Sequence, residues 1–151
     1  MAHTKLRGMT WGHRRAIDPL LAVEALFEQR HPGIAVAWES RPLHGFEFAP
    51  VPELARHYDL IVLDHPFCGA IAASQCLLPV DDVVAASGGD RYVGPSLASY
   101  RYQGKCWALP IDAACQVAVS RPDLMAALGA SAPADWRGLI GLCARARQSG
   151  L

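Results

Sequence analysis

At 151 residues the chain suits one compact domain, and 52% hydrophobic with 19% charged residues supplies a core and argues against disorder. Fourteen basic and fourteen acidic residues leave a formal net charge of zero, so bulk composition carries no electrostatic footprint for nucleic acid, and none is expected as a partner. No apolar run reaches the roughly 18 residues of a membrane span. The start, "MAHTKLRGMTWGHRR", lacks the apolar centre of a secretory signal, so the chain as written is expected in the cytoplasm.

The first predicted element is a strand over "KLRGMTW" (5–11). A helix follows in "IDPLLAVEALFEQRHPG", with Asp18 as its cap and Pro19 at the first helical position, where a missing N–H costs nothing. Leu20, Val23 and Phe27 recur at helical spacing, and His31-Pro32-Gly33 ends the run. "IAVAW" (34–38) places Ile34, Val36 and Trp38 on one face of a second strand. After a short helix over "VPELARHY" (51–58), the continuous apolar run "LIVL" (60–63) predicts a central parallel strand covered on both faces. "CGAIAASQ" (68–75) reads as a helix whose small residues allow close packing.

This β-α-β-α-β-α order predicts an α/β fold, a parallel β-sheet flanked by helices. Ligands of such sheets bind beyond the carboxyl ends of the strands. Here those ends are Trp11-Gly12-His13, Glu39-Ser40-Arg41 and Asp64-His65-Pro66-Phe67. Beyond Asp82, "AASGGD" (85–90) reads as a loop, and residues 100–124 as a strand pair turning at Gln103-Gly104. "ADWRGLIGLCARARQSG" (134–150) reads as a closing helix capped by Asp135. This last part is too short for a domain of its own.

Three chemistries compete at the mouth of the third strand. Asp64 ends a buried strand as the phosphoacceptor does in a response-regulator receiver, which the "DLIVLD" phrase resembles. A receiver also needs an acidic pair after its first strand to hold Mg²⁺, and this chain has Thr10-Trp11-Gly12-His13 there; Lys105 lies in a hairpin. A metal or thiol site could use His65 and Cys68, with Cys76 beyond, but zinc wants three or four convergent ligands and the spacing supplies no second pair. Five cysteines (68, 76, 106, 115 and 143), an odd number without a CxxC pair, read as buried, unpaired thiols. The third chemistry is binding alone. Trp11, Phe67 and Trp107 offer flat rings to stack on a sugar or other small organic molecule, and His13, Arg41, Asp64, His65 and Asp112 offer polar groups to orient it.

Four phrases in order decide between these readings. They are "LRGMTWGHRRAIDPLLAVEALFEQRHPGIAVAW", "YDLIVLDHPFCGAIAASQCLLPVDD", "SLASYRYQGKCWALPIDAACQVAVSRPDL" and "PADWRGLIGLCARARQSG". Together they resemble the N-terminal part, lobe one, of an ABC-transporter extracellular solute-binding protein of the type-1, sugar-binding kind. The resemblance implies a periplasmic-binding-protein-like lobe over 1–110, with a crossover strand and the start of lobe two over 111–151. It implies ligand contacts at Trp11, Gly12, His13, Arg41, Asp64, His65, Phe67, Asp112 and Ala113, a small-molecule solute as ligand, and an ABC permease as partner. It implies binding without catalysis, no cofactor, no metal, and a periplasmic or extracellular location. Such proteins run more than twice this length, so the chain is expected to be truncated, and Cys76 stands where they commonly have Gly. A lone lobe leaves one wall of the cleft, so binding is expected to be about millimolar at best, and the uncovered lobe face is an expected self-association surface. His13, Arg14, Arg15 and Arg41 equally favour a carboxylate ligand. The receiver-like signalling domain, with Asp64 as acceptor, is the alternative function.

Overall fold

A computed structural model describes residues 4–47, 49–88 and 91–150. Strand β1 (Thr4–Trp11) lies at the centre of a three-stranded parallel sheet in the order β2-β1-β3. It pairs with β2 (Ile34–Arg41) along its whole length, from Thr4↔Ile34 to Trp11↔Arg41. β2 thus runs three residues past the predicted end, because the partner strand holds polar Glu39 and Ser40 in register. Side chains of adjacent parallel strands in register share a face, and Trp38 lies beside Gly8. A Cβ on Gly8 would come within 2.4 Å of the Trp38 ring, so the glycine gives that ring its room.

The run at 60–63 behaves differently from expectation. Among the described residues β3 (Leu60–Ile61) pairs only with β1, through Gly8↔Leu60 and Met9↔Ile61, and forms an edge; Leu60 is exposed. Bonds from the Asp59 N–H to Arg7 O and from the Val62 N–H to Met9 O continue the pairing at either end. A continuous apolar run does not itself say that a second neighbour strand is present, and among the described residues β1 holds the central place.

Helix α1 (Arg14–Arg30) also departs from the reading of its start. Its cap is His13, whose imidazole accepts from the Arg15 N–H, and Pro19 lies inside the helix, leaving one backbone bond unmade. Asp18 instead pairs with Arg14 one turn earlier, at 3.0 Å. Ala16 is buried and Leu20, Glu24 and Phe27 are half-buried, whereas Val23 is exposed. The inward stripe therefore passes through Glu24, whose Oε2 is buried without a hydrogen-bond partner.

Helices α2 (Leu43–Glu47) and α3 (Val51–Leu54) lead from β2 to β3. A 3₁₀ turn, His65–Phe67, then opens into α4 (Cys68–Ser74). One core cluster joins Met9, Leu54 and Tyr58; the other joins Val51, Leu63, Cys68, Ile71 and Trp107. Helix α5 (Asp81–Ser87) takes up residues 85–87 of the predicted loop, and positions 89 and 90 fall outside the described residues. The Asp81 carboxylate receives the Cys106 N–H, which ties α5 to the hairpin. After α6 (Ser96–Ser99), β4 (Arg101–Tyr102) and β5 (Lys105–Cys106) make the predicted hairpin. Its turn residues Gln103 and Gly104 have φ of 51° and 76°, the left-handed pair of a type I′ turn.

The expected crossover strand does not form. Residues 107–121 carry neither helix nor strand, since their backbone finds no ladder partner among the described residues. The chain divides into two compact units, 1–113 and 114–151. The second holds α7 (Pro122–Ala127) and α8 (Trp136–Gln148), linked by the Arg145 guanidinium donating to the carbonyls of Leu128 and Gly129. Asp135 caps α8 as predicted, accepting the Gly138 N–H at 2.7 Å.

Candidate ligand site at the strand mouth

The carboxyl end of β1 is held by backbone bonds. The Gly12 N–H donates to Arg41 O at 2.7 Å, locking the ends of β1 and β2 together, and the His13 N–H turns back to Trp11 O. A Cβ on Gly12 would approach Arg41 O to 3.3 Å, so a small residue suits the crossing. Because α1 starts at Arg14, Arg15 falls in its first turn beside Trp11. Its guanidinium lies over the Trp11 ring, 5.4 Å from the centroid, and pairs with Asp112 at 3.0 Å. The His13 and Trp11 rings are 6.4 Å apart and inclined by 25°. Three predicted residues, Trp11, His13 and Asp112, are thus joined through Arg15, which the sequence offered only as one of the cations favouring a carboxylate ligand.

At the end of β3, Asp64 is exposed, and its side chain makes no capping bond to the turn that follows. His65 meets the Tyr100 ring edge-on, with centroids 6.3 Å apart. The Tyr100 hydroxyl donates to Leu63 O at 3.2 Å. Burial pushes the Tyr100 phenol up from its ordinary value of 10.0, and the neighbouring Asp64, Cys68 and Asp112 push the same way. The phenol is therefore a neutral hydrogen-bonding group near two carboxylates. Tyr100 is a residue that sequence reasoning missed; it lies just before the hairpin, and only the packing of the hairpin against α4 brings its ring to His65.

The other predicted contacts lie elsewhere. Arg41 turns its side chain toward Tyr58, donating to the hydroxyl at 3.2 Å and lying 5.5 Å from the ring centroid. Arg7 lies over the same ring at 5.1 Å, and both arginines approach Glu39. These groups border an open cleft of about 290 Å³ lined by Lys5, Arg7, Ala37, Trp38, Glu39 and Tyr58. Phe67 packs half-buried against the larger core. Trp107 is 5% exposed, belongs to that core, and donates its indole N–H to Tyr102 O; it presents no ring to a solute, because the hairpin folds it inward. Ala113 is exposed and offers only backbone.

The thiol and metal readings meet specific obstacles. Cys68 and Cys106 are buried, and burial raises both thiols above their ordinary 9.0, so neither is a ready thiolate at neutral pH. Cys115 and Cys143 are exposed, contrary to the expectation of burial for all five. Among the described residues no three His, Cys, Asp or Glu side chains converge as a metal site. Lys105 stands over the Trp107 ring, 5.8 Å from its centroid.

No protein-family model and no curated protein matches the sequence. Solved structures do match the fold. A periplasmic solute binding protein from Pectobacterium atrosepticum superposes with a TM-score of 0.70 at 17% identity, over 96% of this chain and 36% of its own. The GacH receptor of Streptomyces glaucescens, determined unliganded and with acarbose, gives 0.67 at 17% identity, over 99% and 40%. The sugar-binding protein MalE from Xanthomonas citri gives 0.59 at 20% identity, over 71% and 28%. The chain has the periplasmic-binding-protein fold over the portion it spans, which is two fifths or less of the length of these structures.

Proposed function

We propose that this chain is the ligand-facing lobe of a solute-binding protein that holds a small polar solute, a sugar or a related organic molecule, at the carboxyl ends of β1 and β3. The observation that carries the reading is the meeting of Trp11, His13, Arg15 and Asp112 by direct contacts at the end of β1, with Asp64, His65 and Tyr100 at the end of β3. This is the edge of a parallel sheet where solutes bind. The groups mix ring faces with hydrogen-bonding side chains, which suits recognition without bond chemistry. The neighbours of the same fold bear names of binding proteins, which supports a role in solute uptake outside the cytoplasmic membrane with a permease as partner. Among the described residues no helix is long and apolar enough to cross a membrane.

The test is a backbone-resolved NMR titration with small sugars at tens of millimolar, since one lobe makes only part of the contacts of a closed cleft and about millimolar affinity is expected. Shifts should concentrate at 11–15, 64–65, 100 and 112. Shifts confined to the Lys5–Arg7–Tyr58 cleft, or none with any small polar solute, would overturn the assignment.

A further inference from the structure

We propose that the strand mouth selects its solute by charge, with Asp64 as the selecting group: an amine-bearing polar solute is preferred to a neutral one, and a neutral one to a carboxylate. The inference rests on the reading of the strand mouth as a solute site. It follows from which charges near the mouth already have partners. Arg14 pairs with Asp18 at 3.0 Å and Arg15 with Asp112 at 3.0 Å. Arg41 is directed to Glu39 and Tyr58, and Arg7 to Glu39. His13 accepts the Arg15 N–H on Nδ1, so its ring is engaged in capping the helix.

Asp64 differs from all of these. It is exposed at the end of β3, makes no capping bond, and has neither ion pair nor side-chain hydrogen bond among the described residues. Among the described residues the mouth therefore has its arginines engaged and the Asp64 carboxylate open. An ionised carboxylate only accepts hydrogen bonds, so it favours a donor-rich solute and most of all a charged ammonium. A carboxylate ligand would meet like charge, with no free guanidinium to receive it. The upward push of Asp64 and Asp112 on the Tyr100 phenol reports the same negative field.

The experiment compares three probes on one pyranose frame, glucosamine, glucose and glucuronate, at about pH 7, where they carry mainly positive, zero and negative charge. Affinity should fall in that order by about twofold to fivefold per step, the scale of one exposed charge interaction. The steps should shrink at high salt. Asp64→Asn, a surface change that leaves the core intact, should bring the three affinities together, and Arg15→Gln, by releasing Asp112, should steepen the order. Equal binding of all three, or preference for the uronate, would overturn charge selection while leaving the solute site standing. An unchanged order in Asp64→Asn would overturn the assignment to Asp64. No binding of any probe would overturn the solute site itself, and this inference with it.

Discussion

Helices α4 and α8 are opposite cases. α4 has seven residues and no side-chain cap, yet it buries Cys68 and leaves Ile71 with 0% exposure. α8 has thirteen residues and a well-formed Asp135 cap, yet none of its residues is buried, and Trp136 is 78% exposed. The same contrast runs through the two units. The first has both core clusters, whereas no described residue of 114–150 is buried. Caps and spacing make a helix, but most helical stability in proteins comes from packing a face against something else. The short, poorly capped helix is the better anchored one.

The largest effect expected from this contrast is at Ile71. Ile71→Ala should destabilise unit 1 by about 2–5 kcal/mol in denaturant unfolding, the range for emptying a buried aliphatic site. Trp136→Ala, although it removes a larger side chain, should change stability by less than about 0.5 kcal/mol. Comparable losses from the two substitutions would show that α8 has a core after all. A smaller effect is expected at the α8 cap. Asp135→Ala should cost about 1 kcal/mol of local helix stability. It should appear as faster amide exchange within Trp136–Gln148, without a shift in the main unfolding transition. A shift of that transition would mean that the two units unfold as one.

The smallest effect is a pH dependence confined to unit 1. The Cys68 and Cys106 thiols titrate higher in the folded chain than their ordinary 9.0, first because of burial. Below that value both folded and unfolded thiols are protonated, and their contribution is fully present. As pH rises past it, the unfolded thiols ionise while the folded ones stay neutral, so stability falls until the folded thiols titrate as well. Denaturation midpoints should decline above about pH 9, and less so in Cys68→Ala. A flat profile through that window would show that the thiols are not held neutral by the fold.

Several parts of the molecule were legible from local residues. The β1–α1–β2 order, the Gln103-Gly104 turn and the Asp135 cap each follow from rules that act within a few residues. The start of α1 was misread because Asp18-Pro19 is the stronger capping signal by residue type, whereas the Trp11-His13 turn at the end of β1 determines where the helix begins. β3 was misread as central because an apolar run records the burial a strand can use, not the neighbours it has. In the candidate site, Trp11, His13, Asp64 and His65 were named from their places at strand ends, and Asp112 as a polar group that the resemblance also implied. Arg15 was named only as a cation favouring a carboxylate ligand, and Tyr100 was not named, since it lies at no predicted strand end. Arg41 and Trp107 looked equivalent to the others until their side chains were seen at Tyr58 and in the core.

The sequence by itself determined the α/β order, the strand ends that make the candidate site, and the residue types available there. These are consequences of periodicity, turn chemistry and chain direction, all of which act locally. Only the tertiary structure decided which of those residues face one another, which arginines are already paired, and that Asp64 is left open. Those outcomes depend on contacts between residues far apart in the chain, such as Arg15 with Asp112 and Tyr100 with His65, and no local rule encodes them.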